Sequence, residues 1–324
     1  MYVKPVQIPC HVLQYEALLR RLRPGPARAD VLSHYKRALA GYRGEQSMDY
    51  PLSYLPKESF YIFHNLRLPD HVHFFQIDFL ILCARYVLIL EVKNMSGTLM
   101  FDTDLHQLIR VRDGTIDVFE DPIAQLEQLA DSLSDWLRKR GTHLPISGRV
   151  AIASSVQLQF EGLSREKICR VIRRANLRAE LARLDQQFRT PLVSQHELDR
   201  ASDLLLSANQ PLIISLFHKF QISPEDVLTG VQCPDCHVLG MIKEKQHWRC
   251  MACGCISRKA HLAALCDYFH IYGTTITNRQ CRAFLNIQSD TNAKKMLRSV
   301  SSHFKGDNRA CVYYLSPDLL TKNQ

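Results

Sequence analysis

Two runs of the chain, HFFQIDFLIL from residue 73 and ARYVLILEVKN from residue 84, are apolar at nearly every position. Such runs predict neighbouring strands buried on both faces. Period two in the second run places Glu91 and Lys93 on the same face as Val87 and Ile89. GRVAIASSVQL, at 148 to 158, predicts a further core strand. The period becomes helical in PIAQLEQLADSLSDWLRKR, where Ile123, Leu126, Leu129, Ala130, Leu133 and Leu137 form a stripe behind Asp121 as N-cap and Pro122 at the first position. Gln125 lies beside that stripe. SREKICRVIRRANLRAELARLDQQF keeps Ile168, Val171, Ile172, Ala175 and Ala179 at helical spacing, although a strand followed by a helix fits nearly as well. Its seven Lys/Arg against two Asp/Glu between Arg165 and Arg183 give a basic face, for which solvation is the common outcome. HELDRASDLLLSANQPLIISLFHKF reads on as helix, and Ser223 and Pro224 open a short one in ISPEDVL.

The last part of the chain predicts three helices, HLAALCDYFHIYG, NRQCRAFLN capped by Thr277, and DTNAKKMLRSVSS capped by Ser289. The short IQS link gives the second and third helix-turn-helix spacing. HFKGDNRACVYYL then reads as a hairpin, the wing of a winged helix. In the third helix Ala293, Met296, Leu297 and Val300 form the buried stripe, which leaves Asn292, Lys294, Lys295 and Arg298 toward solvent. With Arg279 and Arg309 these are the candidate DNA-binding residues, since phosphates and base edges call for cations and amides. From Ser257 to Gln324 there are ten Lys/Arg against four Asp/Glu. Protein contacts are the competing use of such a fold.

Four cysteines change the picture between these regions. Cys233-Pro-Asp-Cys236 and Cys250-Met-Ala-Cys253 are CxxC knuckles thirteen residues apart, near the spacing of a four-cysteine zinc ribbon. The loop between them is too short to bury a core, so Zn²⁺ would stabilise it. Lys243, Lys245, His247, Trp248 and Arg249 would let the loop also grip DNA. Cys255 is a spare thiol.

The chain has 324 residues, 46% of them hydrophobic, which is enough for two or three domains. A net charge of +9 and a pI near 9.0 suit a polyanionic partner without requiring one. MYVKPVQIPC lacks a signal-peptide core, and the apolar stretch at 77 to 92 is broken by Asp78, Arg85 and Glu91, so no membrane span is expected. Eleven cysteines without an export signal point to a reducing cytoplasm.

The charges inside the two apolar runs are the main chemical signal, because an unpaired carboxylate there is costly. Twelve residues separate Asp78 from Glu91. If their strands pair, the two carboxylates lie side by side and raise each other's pKa unless a cation intervenes, for which hard oxygens select Mg²⁺. Lys93 would then stand at the rim to hold a scissile phosphate. The competing reading is a Glu91–Lys93 salt bridge at a strand end. Glu45 is expected in the first turn of a short helix, GEQSMDYPLSYL, where the helix dipole favours an acid anyway.

Gly41-Tyr42-Arg43-Gly44-Glu45, HNLRLP at 64 to 69, QID at 76 to 78, EVKN at 91 to 94, Ser96-Gly97 and DPIAQ at 121 to 125 resemble the nuclease-related domain (NERD) family in order and spacing, over residues 34 to 160. The resemblance implies an α/β, restriction-endonuclease-like core of the PD-(D/E)xK type, with a mixed sheet flanked by helices. It also implies a catalytic set in which Glu45 and Gln125 join Asp78, Glu91 and Lys93. Many members carry a Trp after the ExK motif, where this chain has His106 and Gln107.

The expected organisation is a nuclease-like domain over 1–223, a linker and zinc ribbon over 224–256, and a winged helix over 257–324. The expected function is Mg²⁺- or Mn²⁺-dependent hydrolysis of DNA phosphodiesters in DNA processing or defence, with Asp78 and Glu91 as metal ligands. The alternative is an inactive nuclease fold serving as a DNA-binding adaptor. A homo-oligomer or a protein partner on the winged helix is left open.

Overall fold

The computed structural model describes residues 1–102, 104–162, 164–307 and 310–322. The chain divides into two compact units, one of residues 1–9 and 37–212, the other of residues 10–36 and 213–324. Sequence alone places 10–36 with the first domain. The structure groups them with the C-terminal part. Two helices carry this segment, α1 (Cys10–Arg21) and α2 (Pro26–Gln46), and the chain passes between units within α2.

The first unit is built on a mixed six-stranded sheet in the order β1-β2-β3-β4-β8-β10. Its strands are β1 (Tyr2–Lys4), β2 (Tyr61–Pro69), β3 (Phe74–Leu82), β4 (Val87–Lys93), β8 (Ile146–Ile152) and β10 (Val171–Arg173). The three central neighbours β2, β3 and β4 are antiparallel, while β8 runs parallel to β4. Residues Val87 to Leu90 are all buried because both faces of the sheet are covered. Val87 and Ile89 join Ile123, Leu126 and Leu133 of α4 (Pro122–Arg138) and Leu198 and Leu205 of α7 (Gln195–Ala208). Leu88 and Leu90 join Met48, Leu52 of α3 (Asp49–Leu52), and Leu177, Leu181 and Leu184 of α6 (Leu177–Gln187). Each such side chain contributes about 1.5–3 kcal/mol of burial. Helix α4 lies so close on β8 that a Cβ at Gly148 would meet Leu126 at 2.6 Å.

A second sheet in the order β7-β6-β5-β9 contains β5 (Thr98–Asp102), β6 (Gln107–Arg112), β7 (Thr115–Glu120) and β9 (Gln157–Glu161). Leu99, Phe101 and Leu108 tie it to the core that contains α4. This mixed α/β architecture is consistent with a nuclease-like core.

Three elements depart from expectation. The basic middle segment is not one helix: a short α5 (Arg165–Ile168) precedes β10 and α6, so the strand-then-helix reading holds. The helix expected to run through residue 220 stops at Ala208, where Asn209 accepts the Arg67 N–H at 3.0 Å and Gln210 donates to the Arg67 carbonyl at 2.9 Å. The side chain of Asn209 and the backbone of Gln210 thus tie the chain to β2 instead of continuing the helix, and α8 (Leu216–Phe220) starts afresh after Pro211. Glu45 sits in the last turn of the 21-residue α2, not the first turn of a short helix.

In the second unit, β11 (Ile242–Glu244), β12 (His247–Arg249) and β13 (Ile256–Ser257) form an antiparallel sheet in the segment that carries the two CxxC knuckles. There follow α9 (Ala260–Tyr272), β14 (Thr275–Thr277), α10 (Asn278–Leu285), α11 (Asp290–Val300), β15 (Ser301–Lys305), β16 (Val312–Leu315) and α12 (Pro317–Lys322), with sheet order β14-β16-β15. Thr277 caps α10 and Ser289 caps α11, each accepting an N–H three residues on. Ala293, Met296, Leu297 and Val300 are buried, as the spacing predicts.

Candidate active site and metal centre

The antiparallel ladder between β3 and β4 runs from Leu82 opposite Val87 to Phe79 opposite Leu90 and stops there. Beyond it β3 stays paired with β2 as far as Phe74, and β4 stays with β8 as far as Lys93, so the strands part. Asp78 is the first residue past the last pair. Its Oδ2 accepts the Val92 N–H at 2.8 Å, replacing the partner that the ladder no longer supplies. On its other side the β2–β3 pairing skips Asn65 and Asp78, where Asn65 adopts φ +50°, a conformation that Asn tolerates well. The carbonyls of His64 and Asn65 there accept from Lys4 Nζ at 2.6 and 2.7 Å. Burial pushes the Lys4 ammonium down to about 8, against the opposing pull of Glu45.

Asp78 and Glu91 open onto one cavity of about 410 Å³ that Gln76, Glu120, Gln125 and Gln128 also line. Burial first, then Glu91 and Glu45, raises the Asp78 carboxyl well above the usual carboxylate range, only partly offset by the Val92 N–H and Lys93. Glu91 Oε1 accepts from Lys93 Nζ at 2.7 Å, and Lys93 also reaches Gln125 Oε1 at 3.3 Å. Gln125 in turn donates to Glu120 at 3.0 Å. The structure therefore joins Asp78, Glu91, Lys93 and Gln125 in one neighbourhood, with the Glu91–Lys93 ion pair formed. Hard oxygens that share a cavity and a carboxyl whose charge is disfavoured fit a divalent ion. The carboxylates are not drawn into a tight shell: among the described residues, the four cysteines are the one group of three or more ligating side chains gathered closely enough to hold a metal ion.

Glu45 is held separately. Its Oε2 is 2.7 Å from Nε2 of His64, whose side chain is 1% exposed against 17% for Glu45. The Gln7 N–H donates to Nδ1 of the same ring at 3.4 Å, which leaves Nε2 as the donor to Glu45. That bond offsets the unfavourable placement of an acid at a helix C-terminus, about 0.3–1 kcal/mol. Asn94, just past β4, donates to the Ala40 carbonyl of α2 at 2.8 Å, and a Cβ at Gly44 would collide with the Asn94 side chain. Close approach at Gly44 thus sets where Glu45 lies. Lys4, His64 and Glu120 were not singled out from sequence. The signal for His64 is present, because it is a polar residue that is buried within a mainly apolar strand, YIFHNLRLP.

Cys233, Cys236, Cys250 and Cys253 bring their sulfurs within 4.8 Å of one another. Two of the cross-knuckle distances are 3.6 Å, Cys233 to Cys253, and 3.5 Å, Cys236 to Cys250. Burial raises the Cys233 thiol, but the N–H groups of Cys236 and Asp235, with the thiols of Cys253 and Cys236, more than offset this and bring it down to about 6. Four soft donors, one of them inclined to be a thiolate, fit Zn²⁺. Cys255 is not part of the cluster.

Of the cationic candidates, Arg279, Lys294 and Arg298 line one cavity of the second unit, together with Arg282, which sequence reading left aside. Lys295 is exposed, and Asn292 is half-buried with its N–H on the Ser289 cap. Neither lines that cavity, and Arg309 lies outside the described residues. Among the described residues, no helix is long and apolar enough to cross a membrane.

Residues 40–153 match the family model of the nuclease-related domain, NERD. Among solved structures, the crystal structure of protein VC1899 from Vibrio cholerae aligns with 56% of this chain at 15% identity and a TM-score of 0.26, and the alignment spans 50% of that chain. No curated protein matches the chain.

Proposed function

From a chain that carries a nuclease-related domain over residues 40–153, we infer a divalent-metal-dependent nuclease acting on DNA, whose second unit, a zinc ribbon followed by a winged helix, supplies the grip on nucleic acid. The observation that carries the reading is the shared cavity of Asp78 and Glu91 at the point where β3 and β4 part. Asp78 and Glu91 would hold Mg²⁺ or Mn²⁺, which when bound supplies a Lewis acid for a phosphoryl oxygen and a lowered pKa for water. Lys93, once released from Glu91, offsets charge developing on the phosphate. Gln125, which already contacts Lys93, orients that ammonium. Glu45 is anchored through Oε2 and retains Oε1 to accept a proton-bearing group such as an attacking water. Zn²⁺ on the four cysteines is structural, and free thiols suit a reducing compartment, the cytoplasm in this reading.

Plasmid, linear and single-stranded DNA with Mg²⁺ or Mn²⁺ test the proposal. Glu91→Ala and Lys93→Ala should each abolish cleavage and leave DNA binding nearly intact. Wild-type rates in both variants would remove the assignment.

The formed Glu91–Lys93 ion pair and the loose carboxylate shell favour a second reading, a nuclease fold kept as a DNA-binding adaptor. Retained DNA binding with no cleavage of any substrate by either ion would establish it.

A further inference from the structure

The cavity in the second unit, about 950 Å³, combines two kinds of wall. Arg279 and Arg282 of α10 and Lys294 and Arg298 of α11 line it, and Phe304 of β15 lines the same space. Among the described residues none of the four cations is in an ion pair, although Asp290 and Asp307 also line the cavity and reduce its net charge to about +2. Phe304 is 52% exposed. Its position is fixed by pairing opposite Tyr313 in the β15–β16 hairpin, with the Tyr313 ring 5.8 Å away and the Arg298 guanidinium 5.4 Å from its centroid.

Gripping the outside of a duplex requires cations for phosphates and donors for base edges, but not a half-bare aromatic ring inside a concave cationic site. Bases in a duplex hide their π-faces in the stack, whereas an unpaired base presents one, and aromatic side chains among cations are how single strands are held. We propose that this cavity is a binding site for an unpaired nucleotide of a single-stranded or frayed nucleic acid, with Phe304 stacking on the base and Arg298, Lys294, Arg279 and Arg282 taking the flanking phosphates. The inference rests on the reading of this unit as a nucleic-acid grip and deepens it. It does not depend on cleavage.

The test uses the full chain with zinc present and Glu91→Ala introduced to prevent cutting, and measures fluorescence anisotropy with labelled oligo-dT, oligo-rU and a blunt duplex. Phe304→Ala should weaken single-strand binding about tenfold and change blunt-duplex binding less than about twofold, while Phe304→Trp restores the affinity. The Trp introduced at that site should also be quenched by oligo-dT, because Trp136 and Trp248 are buried, 4% and 0% exposed, and do not respond directly. A preference for rU over dT would identify RNA as the source of the strand. Equal losses on single strand and duplex, unchanged single-strand affinity in Phe304→Ala, or no single-strand binding by the parent chain would each overturn the proposal. Because cleavage is scored separately on the chain with Glu91 intact, failure of the nuclease reading leaves this result standing.

Discussion

Arg21 donates from Nε to Asp267 Oδ2 at 2.8 Å across 246 residues of sequence, with both side chains almost wholly buried. Its Nη1 reaches the Gly230 carbonyl at 2.7 Å, and the guanidinium lies 4.8 Å from the Phe284 ring centroid. Arg20 adds a second contact to Asp267 Oδ1 at 2.7 Å. The amino-terminal helix α1 is thus part of the unit that contains α9 and α10.

Removing one partner of a buried ion pair leaves the other uncompensated and costs about 3–5 kcal/mol. Asp267→Ala should therefore destabilise the second unit by that amount in urea unfolding, because it strands Arg21. A chain beginning at residue 213 should lack a cooperative transition. A fully cooperative transition in that shortened chain would show that α1 is dispensable.

Gly44 offers a direct way to move Glu45. A Cβ at this position must push Asn94 aside, which shifts the end of α2 relative to β4. A displacement of about 1 Å can cost 10²-fold in rate. Gly44→Ala should reduce cleavage by about 10–100-fold with little change in far-ultraviolet circular dichroism, and Asn94→Gly added to it should recover part of the loss. No recovery in the double variant would mean that the two residues do not act through their contact.

The same region shows what sequence could and could not reveal. The caps of α10 and α11 were legible because Thr277 and Ser289 bond within three residues of themselves. Strands β3 and β4 are legible from their predominantly apolar runs, and the charges that interrupt those runs locate Asp78, Glu91 and Lys93. The helix carrying Glu45 is not legible because Gly44, a poor helix former, followed by apolar Met48, Leu52 and Leu55, suggests a fresh start where α2 is ending. Tertiary contact with Asn94 is what makes glycine acceptable there. Arg21–Asp267 and His64–Glu45 were invisible because nothing local links residues that far apart.

His261 makes the second unit sensitive to acid. Trp248 Nε1 donates to His261 Nδ1 at 3.2 Å, which requires that nitrogen to be unprotonated. Burial, helped by Lys243, pushes the imidazole down from 6.5 to about 4. The unfolded chain binds this proton below 6.5 and the folded chain only below about 4, so the contribution is complete above 6.5, falls as pH drops between the two values, and is flat below. The loss is on the order of 3 kcal/mol. Urea midpoints between pH 7 and 4 should fall more steeply for the parent than for His261→Phe. Zinc release is common to both proteins, so parallel curves would remove His261 as the cause.

Zinc should hold the ribbon together. Strands β11, β12 and β13 have three, three and two residues, too little surface to stay ordered alone, yet Trp248 in β12 is fully buried. The purified chain should contain one zinc, and Cys250→Ser should lose it while Cys255→Ser retains it, since Cys255 stands outside the cluster. Stripping the metal with a strong chelator should red-shift the Trp248 emission, with Trp136 of the other unit unaffected. Because Trp248 is bonded to His261 of α9, metal removal should also speed hydrogen exchange in that helix. Zinc loss without any change in Trp248 emission would mean that packing against α9, not the metal, keeps the hairpin folded.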